Sequence, residues 1–446
     1  MRHAIPMKTR LLLFAVLATA TTSALVAADW DKGYVVHEWG TFTSVQGADG
    51  VQMIWNPFVA PELPKFVYDV DHPGPNKAQI SGIRVAGKVG TAQRQRMETP
   101  VIYFYSDTAR TLDVSIKFPE GRVTEWYPQQ TAPDLTFFPA MAATRPALHW
   151  EKLEILPPVE SANAVLPSDP SGSHYYAARE TDASVVRVPT SDKKTEVEKF
   201  LFYRGVAGFQ APLTVKADVN DFRRVTLTNT GAEELRHLFV YDVREDGGAW
   251  LAIDKLAPGE TRAVSLQTDR GVYHVTSTYV PLEKSMKFSS LRLNTSLYRA
   301  LADEGLYPRE AAAMVKTWES TWFGEKGMRV LYILPRTWTD RTLPLTLTPE
   351  PRETQRVMVA RAEIITAEME SKLLGQVERY ISADPGARPQ IVADTVALGL
   401  GRFTESALSS ALRTNSHSEE FTKSAWDLFR ATTIAPKTQG KANAVE

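Results

Sequence analysis

His37-Glu38 opens the first stretch of the chain with strand character, Val35 to Thr43, and it is the pair most able to do chemistry. A His beside a Glu is half of the H-E-x-x-H zinc motif, in which two His share one face of a helix and the Glu acts as base. Position 41 is Thr41, so that motif is absent. On a strand, neighbouring side chains leave opposite faces, which puts His37 with Trp39 and Thr41 and puts Glu38 with Val36 and Gly40. Two readings stay open. Either one of the pair is buried and hydrogen-bonded, or one of them lines a site. Glu98 follows Arg94 and Arg96 just before an apolar run, Pro100 to Tyr105. Arg96 and Glu98 share a face if the strand starts early, as an ion pair or as part of an anion-binding arginine site. Arg361 and Glu363 repeat the Arg-x-Glu arrangement. Asp69, Asp71 and His72 sit in a loop flanked by Pro and Gly. They could hold calcium, although the EF-hand pattern with its Gly and distal Glu is missing, or they could form a solvated turn. A metal-assisted hydrolase would use His37, Glu38 and Glu98 in catalysis and draw metal ligands from His37, His72, Asp69 and Asp71. It needs these dispersed residues to converge in one cleft.

Other chemistries find no support. There is no G-x-S-x-G, no S-x-x-K accompanied by the other penicillin-binding motifs, no G-x-G-x-x-G and no P-loop. The 446 residues include no cysteine, which excludes disulfides, thiolate nucleophiles, iron–sulfur clusters and covalently attached haem. A divalent metal is the one cofactor left open; no nucleotide, haem or iron–sulfur cluster is expected. Aromatic pairs such as Trp126-Tyr127, Tyr175-Tyr176 and Trp318 with Trp322 could stack on sugar rings. The helical spacing of Trp318 and Trp322 equally fits a core.

The N-terminus carries an address. Arg2, Lys8 and Arg10 precede an apolar run from Leu11, and Val26 and Ala28 occupy the −3 and −1 positions of a small-residue cleavage site. This is the pattern of a secretory signal peptide over 1–28, and it predicts a periplasmic or extracellular protein. Lys+Arg total 51 against 52 Asp+Glu. Loss of the three basic signal residues shifts the net charge from −1 to about −4. Nucleic acid is therefore not an expected partner. No later segment is long and apolar enough to span a bilayer.

The elements that must position these residues read as α+β and multidomain. Residues 29–156 are β-rich. Residues 157–195 carry Pro157, Pro158, Pro167, Pro170 and Gly172 and read as an irregular linker. Residues 196–281 show short strands broken by turns such as Asn229-Thr230-Gly231 and Pro258-Gly259, the spacing of a β-sandwich. Residues 282–366 alternate helix and strand. Residues 367–435 are helical in four segments, and 436–446 form a polar tail expected to be disordered.

Three resemblances add to this. The 196–281 pattern resembles immunoglobulin-like modules of exported bacterial proteins. The stretch Leu400 to Leu408 resembles a turn of HEAT-like repeats, as a helical cap on the main body. His37 to Thr43 (HEWGTFT), Phe200 to Gly205 and Val330 to Arg336 together resemble a family of uncharacterised exported bacterial proteins. That resemblance implies export and brings no assigned reaction. The expected function is a non-catalytic envelope or extracellular protein that binds a protein or glycan surface. The hydrolase built on His37, Glu38 and Glu98 is the alternative.

Overall fold

A computed structural model describes residues 33–55, 63–70, 72, 93–131, 147–170, 173–221, 223–244, 247–266, 280–414 and 416–434. The signal segment 1–28, Asp71 and the tail 436–446 lie outside them. The architecture is α+β, as expected.

The chain forms β1 (Val35–Gln46), β2 (Tyr68–Asp69), β3 (Gln95–Tyr105), β4 (Arg110–Lys117), β5 (Gly121–Tyr127) and β6 (Ala147–Ile155). Next come helix α1 (Pro158–Asn163), β7 (Val186–Pro189), β8 (Thr195–Glu198), β9 (Leu201–Ala207), β10 (Leu213–Ala217) and β11 (Arg224–Asn229). β12 (Leu235–Arg244), β13 (Gly247–Leu256), β14 (Thr261–Ser265) and β15 (Val280–Pro281) lead into helices α2 (Leu282–Asp303) and α3 (Pro308–Phe323). β16 (Gly327–Leu334), α4 (Arg336–Thr342), β17 (Leu345–Thr348) and β18 (Glu353–Ile364) follow. The C-terminal helices are α5 (Ala367–Ser382), α6 (Arg388–Ala397), α7 (Thr404–Thr414) and α8 (Glu419–Ile434), close to the four segments expected from sequence.

Ten strands make the main sheet, in the order β15-β13-β12-β16-β18-β1-β3-β9-β5-β2. β1 lies at its centre, parallel to β18 and antiparallel to β3. All twelve residues of β1 are buried, because both faces of the sheet are covered. On one face His37 meets helix α3, and Trp39 packs near Tyr103. On the other, Phe42 meets Phe118, Phe209 and Trp338. A five-stranded sheet, β17-β4-β6-β7-β8, and a three-stranded sheet, β10-β11-β14, share one continuous apolar core with the main sheet.

This arrangement corrects the expected division of the chain. The main sheet takes strands from 29–156, from 196–281 and from 282–366, so boundaries at 156, 196 and 282 do not separate independent cores. The strands of the immunoglobulin-like stretch are shared out: β9 sits between β3 and β5, β15, β13 and β12 form one end of the main sheet beside β16, and β10, β11 and β14 make a separate sheet. The described residues of the expected linker, 157–170 and 173–195, also carry regular elements. They contain α1, a 3-10 turn over His174–Arg179, β7 and the first residue of β8, and they include the buried Tyr175 and Ala178.

The C-terminal helices have their own small core of Val377, Ile391, Val392, Leu408, Ala425 and Leu428. A second small cluster, with Val45, Trp55, Ile365, Leu373 and Phe403, joins them to the end of the sheet.

Gly40 in the HEWGTFT stretch has a packing reason. The β1–β3 register shifts beside it, and a Cβ there would lie 2.9 Å from Pro100 Cα and 2.9 Å from Met358 Sδ. A backbone carbon cannot move aside the way a flexible side chain can. Gly40→Ala is expected to cost about 1–3 kcal/mol, the range for overpacking a filled core, read as a lower midpoint in urea unfolding.

Candidate functional site

β1 presents His37 and Glu38 to opposite faces, as strand alternation requires. His37 Nδ1 lies 2.7 Å from Glu310 Oε2 in the first turn of α3. Glu310 also accepts from Tyr105 Oη at 2.7 Å and from the Tyr307 backbone N–H at 2.8 Å. Burial and the Glu310 charge push the Tyr105 phenol well above its usual range, so it stays a donor. On the other face Glu38 accepts from Tyr203 Oη and from Arg356 Nε. Arg356 also reaches Asp340 at 2.8 Å. Both members of the HEWGTFT pair are thus held by hydrogen bonds to protein partners.

Glu98 lies on the His37 face but farther along. It is the cross-strand partner of Thr41, four residues on from His37, or ~13 Å at strand rise. Its carboxylate accepts from Arg402 Nη1 at 2.8 Å. Burial alone would raise its pKa, but the guanidinium charges of Arg402, Arg96, Arg204 and Arg361 outweigh that and hold it at about 2. Arg204 Nη2 lies 3.3 Å from His174 Nε2. Burial and the charge of Arg204 lower the His174 pKa to about 3, so the ring is neutral and accepts from Arg204. Glu363 is paired with both Arg329, at 3.1 Å, and Arg361, at 2.8 Å. Burial opposes its ionisation, yet these two guanidiniums keep its pKa below the ordinary value.

The three expected catalytic residues are therefore not brought together. His37, Glu38 and Glu98 sit in three separate hydrogen-bonded groups. Of the expected metal ligands, Asp69 and His72 pair locally at 3.0 Å, and Asp71 lies outside the described residues. Among the described residues no group of three or more His, Asp or Glu side chains could hold a metal ion. Most of the expected aromatic platforms are interior: Trp126, Tyr127, Tyr175, Trp318 and Trp322 are buried and Tyr176 is half-buried.

What the sequence did not mark is a cleft of about 930 Å³ between the sheet and the C-terminal helices. Its walls are the ends of β12, β16 and β18, helix α5 and the segment 397–403. Met328, Ile364, Met369 and Phe403 give it an apolar surface. Arg244 crosses its rim, bonded to Asp242 at 2.6 Å on the sheet and to Glu368 at 2.7 Å on α5. Arg402 ties the same two bodies at the inner end through Glu98. Two other hollows are much smaller, about 350 and 300 Å³. Sequence reading missed Glu310, Arg356 and Arg402 because each is defined by a partner far away in the chain. A helix-start glutamate and scattered arginines carry no local signal of such pairing.

No helix among the described residues is long and apolar enough to cross a membrane. No family model matches the chain, and no curated protein matches it. Among solved structures, the yeast delta-COP-I mu-homology domain complexed with a Dsl1 WxWxV peptide aligns with 74% of this chain and 98% of its own, at 8% identity and a TM-score of 0.25. The yeast delta-COP-I mu-homology domain alone covers 74% and 97%, at 7% identity and a TM-score of 0.26. Superposition at that level says nothing about what this chain does.

Proposed function

We propose that the protein is an exported, non-catalytic binding protein that takes its ligand in the cleft between the main sheet and the C-terminal helices. The observation that carries this reading is a contrast. The acids and bases singled out in β1 and β3 are each held by a protein partner, while the cleft is large, partly apolar and ringed by charge. Its volume lies in the range of pockets that enclose small molecules or a short chain segment. Export rests on the charge, apolar run and cleavage pattern of residues 1–28. A glycan stacked on exposed aromatics is the weaker variant, because most of the candidate rings are buried. The hydrolase reading lacks a converged set of groups among the described residues.

Gly375 lines the cleft from α5, and a Cβ there would meet nothing within 4 Å. Gly375→Trp should fill the cleft without disturbing the fold. Native mass spectrometry of the mature protein, incubated with the low-molecular-mass fraction of an envelope extract, is expected to show a discrete adduct. The Gly375→Trp variant should show none. No adduct on either protein, or the same adduct on both, would contradict the assignment.

A further inference from the structure

The charges of the cleft fall into a pattern that points to a ligand class. Four carboxylates line it: Asp242, Glu325, Glu363 and Glu368. Each already has a cationic partner. Asp242 and Glu368 share Arg244, and Glu368 also takes Lys372 at 3.0 Å. Glu363 takes Arg329 and Arg361, and Glu325 takes Arg361 at 2.6 Å. Six cationic side chains line the same space: Arg223, Arg244, Lys326, Lys372, Arg379 and Arg402. The lining cations are paired as well, Arg379 with Asp394 at 2.9 Å and Arg402 with Glu98, but six of them against four lining carboxylates leave the lining net positive. A partly enclosed space of that kind attracts anions and disfavours cations.

The inner end holds a specific donor. Arg402 gives Nη1 to Glu98, and its guanidinium lies 5.4 Å from the Trp55 ring centroid and 5.0 Å from that of Phe403. These contacts fix the planar group. Its Nε is buried and meets no acceptor among the described residues. A buried guanidinium N–H without a partner is costly, and an oxyanion oxygen is the acceptor that best relieves it. The backbone beside it has matching form. Leu398 and Leu400 are right-handed, while Gly399 and Gly401 have φ of 79° and 50°. The Leu398 and Gly399 N–H groups close the end of α6 on the Thr395 and Val396 carbonyls, whereas the right–left pair Leu400–Gly401 converges the N–H groups that follow into an anion-cupping concavity. Gly399, Leu400, Gly401 and Arg402 all line the cleft, and a Cβ on Gly401 would meet nothing within 4 Å.

Resting on the cleft as the binding site, we infer that the ligand bears an oxyanion, a carboxylate or a phosphate. That group docks against Arg402 and the Leu400–Arg402 segment, and the apolar part of the ligand lies along Met328, Ile364, Met369 and Phe403.

The test is titration calorimetry of the mature protein with inorganic phosphate and, separately, with succinate, at an ionic strength matched with sodium chloride. Saturable binding of either anion is expected in the wild type. Phosphate alone would assign a phosphate-bearing ligand, and succinate alone a carboxylate-bearing one. The double variant Glu98→Gln/Arg402→Gln removes both charges of the buried pair together and should bind at least tenfold more weakly while still showing a cooperative thermal transition. If the double variant does not fold, Arg402→Lys decides, since it keeps the charge beside Glu98 and lacks the Nε edge. At least tenfold weaker binding supports the site, and unchanged binding overturns it. Binding of neither anion by the wild type, or equal binding by the wild type and a folded double variant, also overturns the oxyanion assignment. The mass-spectrometric comparison with Gly375→Trp detects any ligand whatever its charge. An adduct there with no oxyanion binding here would refute this inference and leave the cleft as the binding site.

Discussion

Glu38→Ala is expected to lower the stability of the protein by about 3–5 kcal/mol, the range for removing one member of a buried ion pair. The charge left behind is Arg356, which is 3% exposed and keeps Asp340 as a carboxylate partner. Tyr203 Oη loses its acceptor at the same time. Guanidinium unfolding at pH 7 measures the loss. The double variant Glu38→Gln/Arg356→Met should recover most of it, because no unpaired buried charge remains. A catalytic glutamate would give the opposite pattern, with little change in stability on substitution.

Glu98 has the second large effect, and its sign can be worked out. Its pKa is about 2 in the folded protein against an ordinary 4.5. That difference is worth about 3 kcal/mol at neutral pH. A carboxylate with a depressed folded pKa stabilises the fold above its unfolded value and loses that contribution as pH falls toward the folded one. The contribution is therefore full above about pH 5 and shrinks to less than half by pH 3. Glu98→Gln should be about 3 kcal/mol less stable than wild type at pH 7, and the gap should narrow steadily between pH 5 and pH 3. A gap independent of pH would mean that the Arg402, Arg96, Arg204 and Arg361 field does not act on this carboxylate.

Local pattern carried much of the fold. The apolar runs over β1, β3 and β16 and the four C-terminal helices were readable from periodicity and turn residues alone. Strand alternation also placed His37 and Glu38 on opposite faces. What sequence could not carry was non-local pairing. β1 is flanked by β18, and Glu38 meets an arginine 318 residues away. Glu98 meets Arg402, 304 residues away. Nothing in either local stretch distinguishes such a pair from an exposed charge. The domain boundaries failed for the same reason, since one sheet gathers strands from segments that look self-sufficient by composition. The stretch 157–195 looked irregular because its Pro content is high and its one complete strand, the four-residue β7, is too short to show a period. The cleft itself is a gap between two bodies, and a gap has no residue pattern of its own.

The same placement explains the HEWGTFT stretch without a reaction. His37 pins α3 through Glu310, Glu38 pins β18 through Arg356, and Gly40 admits Pro100. Trp39 and Phe42 fill the two faces of the sheet. These residues hold the centre of the main sheet, whose far end forms one wall of the cleft.

The most direct test of the cleft as the binding site uses the absence of cysteine. A single thiol introduced as Gln376→Cys lies in the cleft lining, and Val219→Cys provides an exposed site outside it. Labelling rates with a small maleimide are compared with and without the low-molecular-mass envelope fraction. The cleft account predicts slower labelling at position 376 and an unchanged rate at position 219. Equal rates at position 376 with and without the fraction, or slowing at both positions alike, would contradict it.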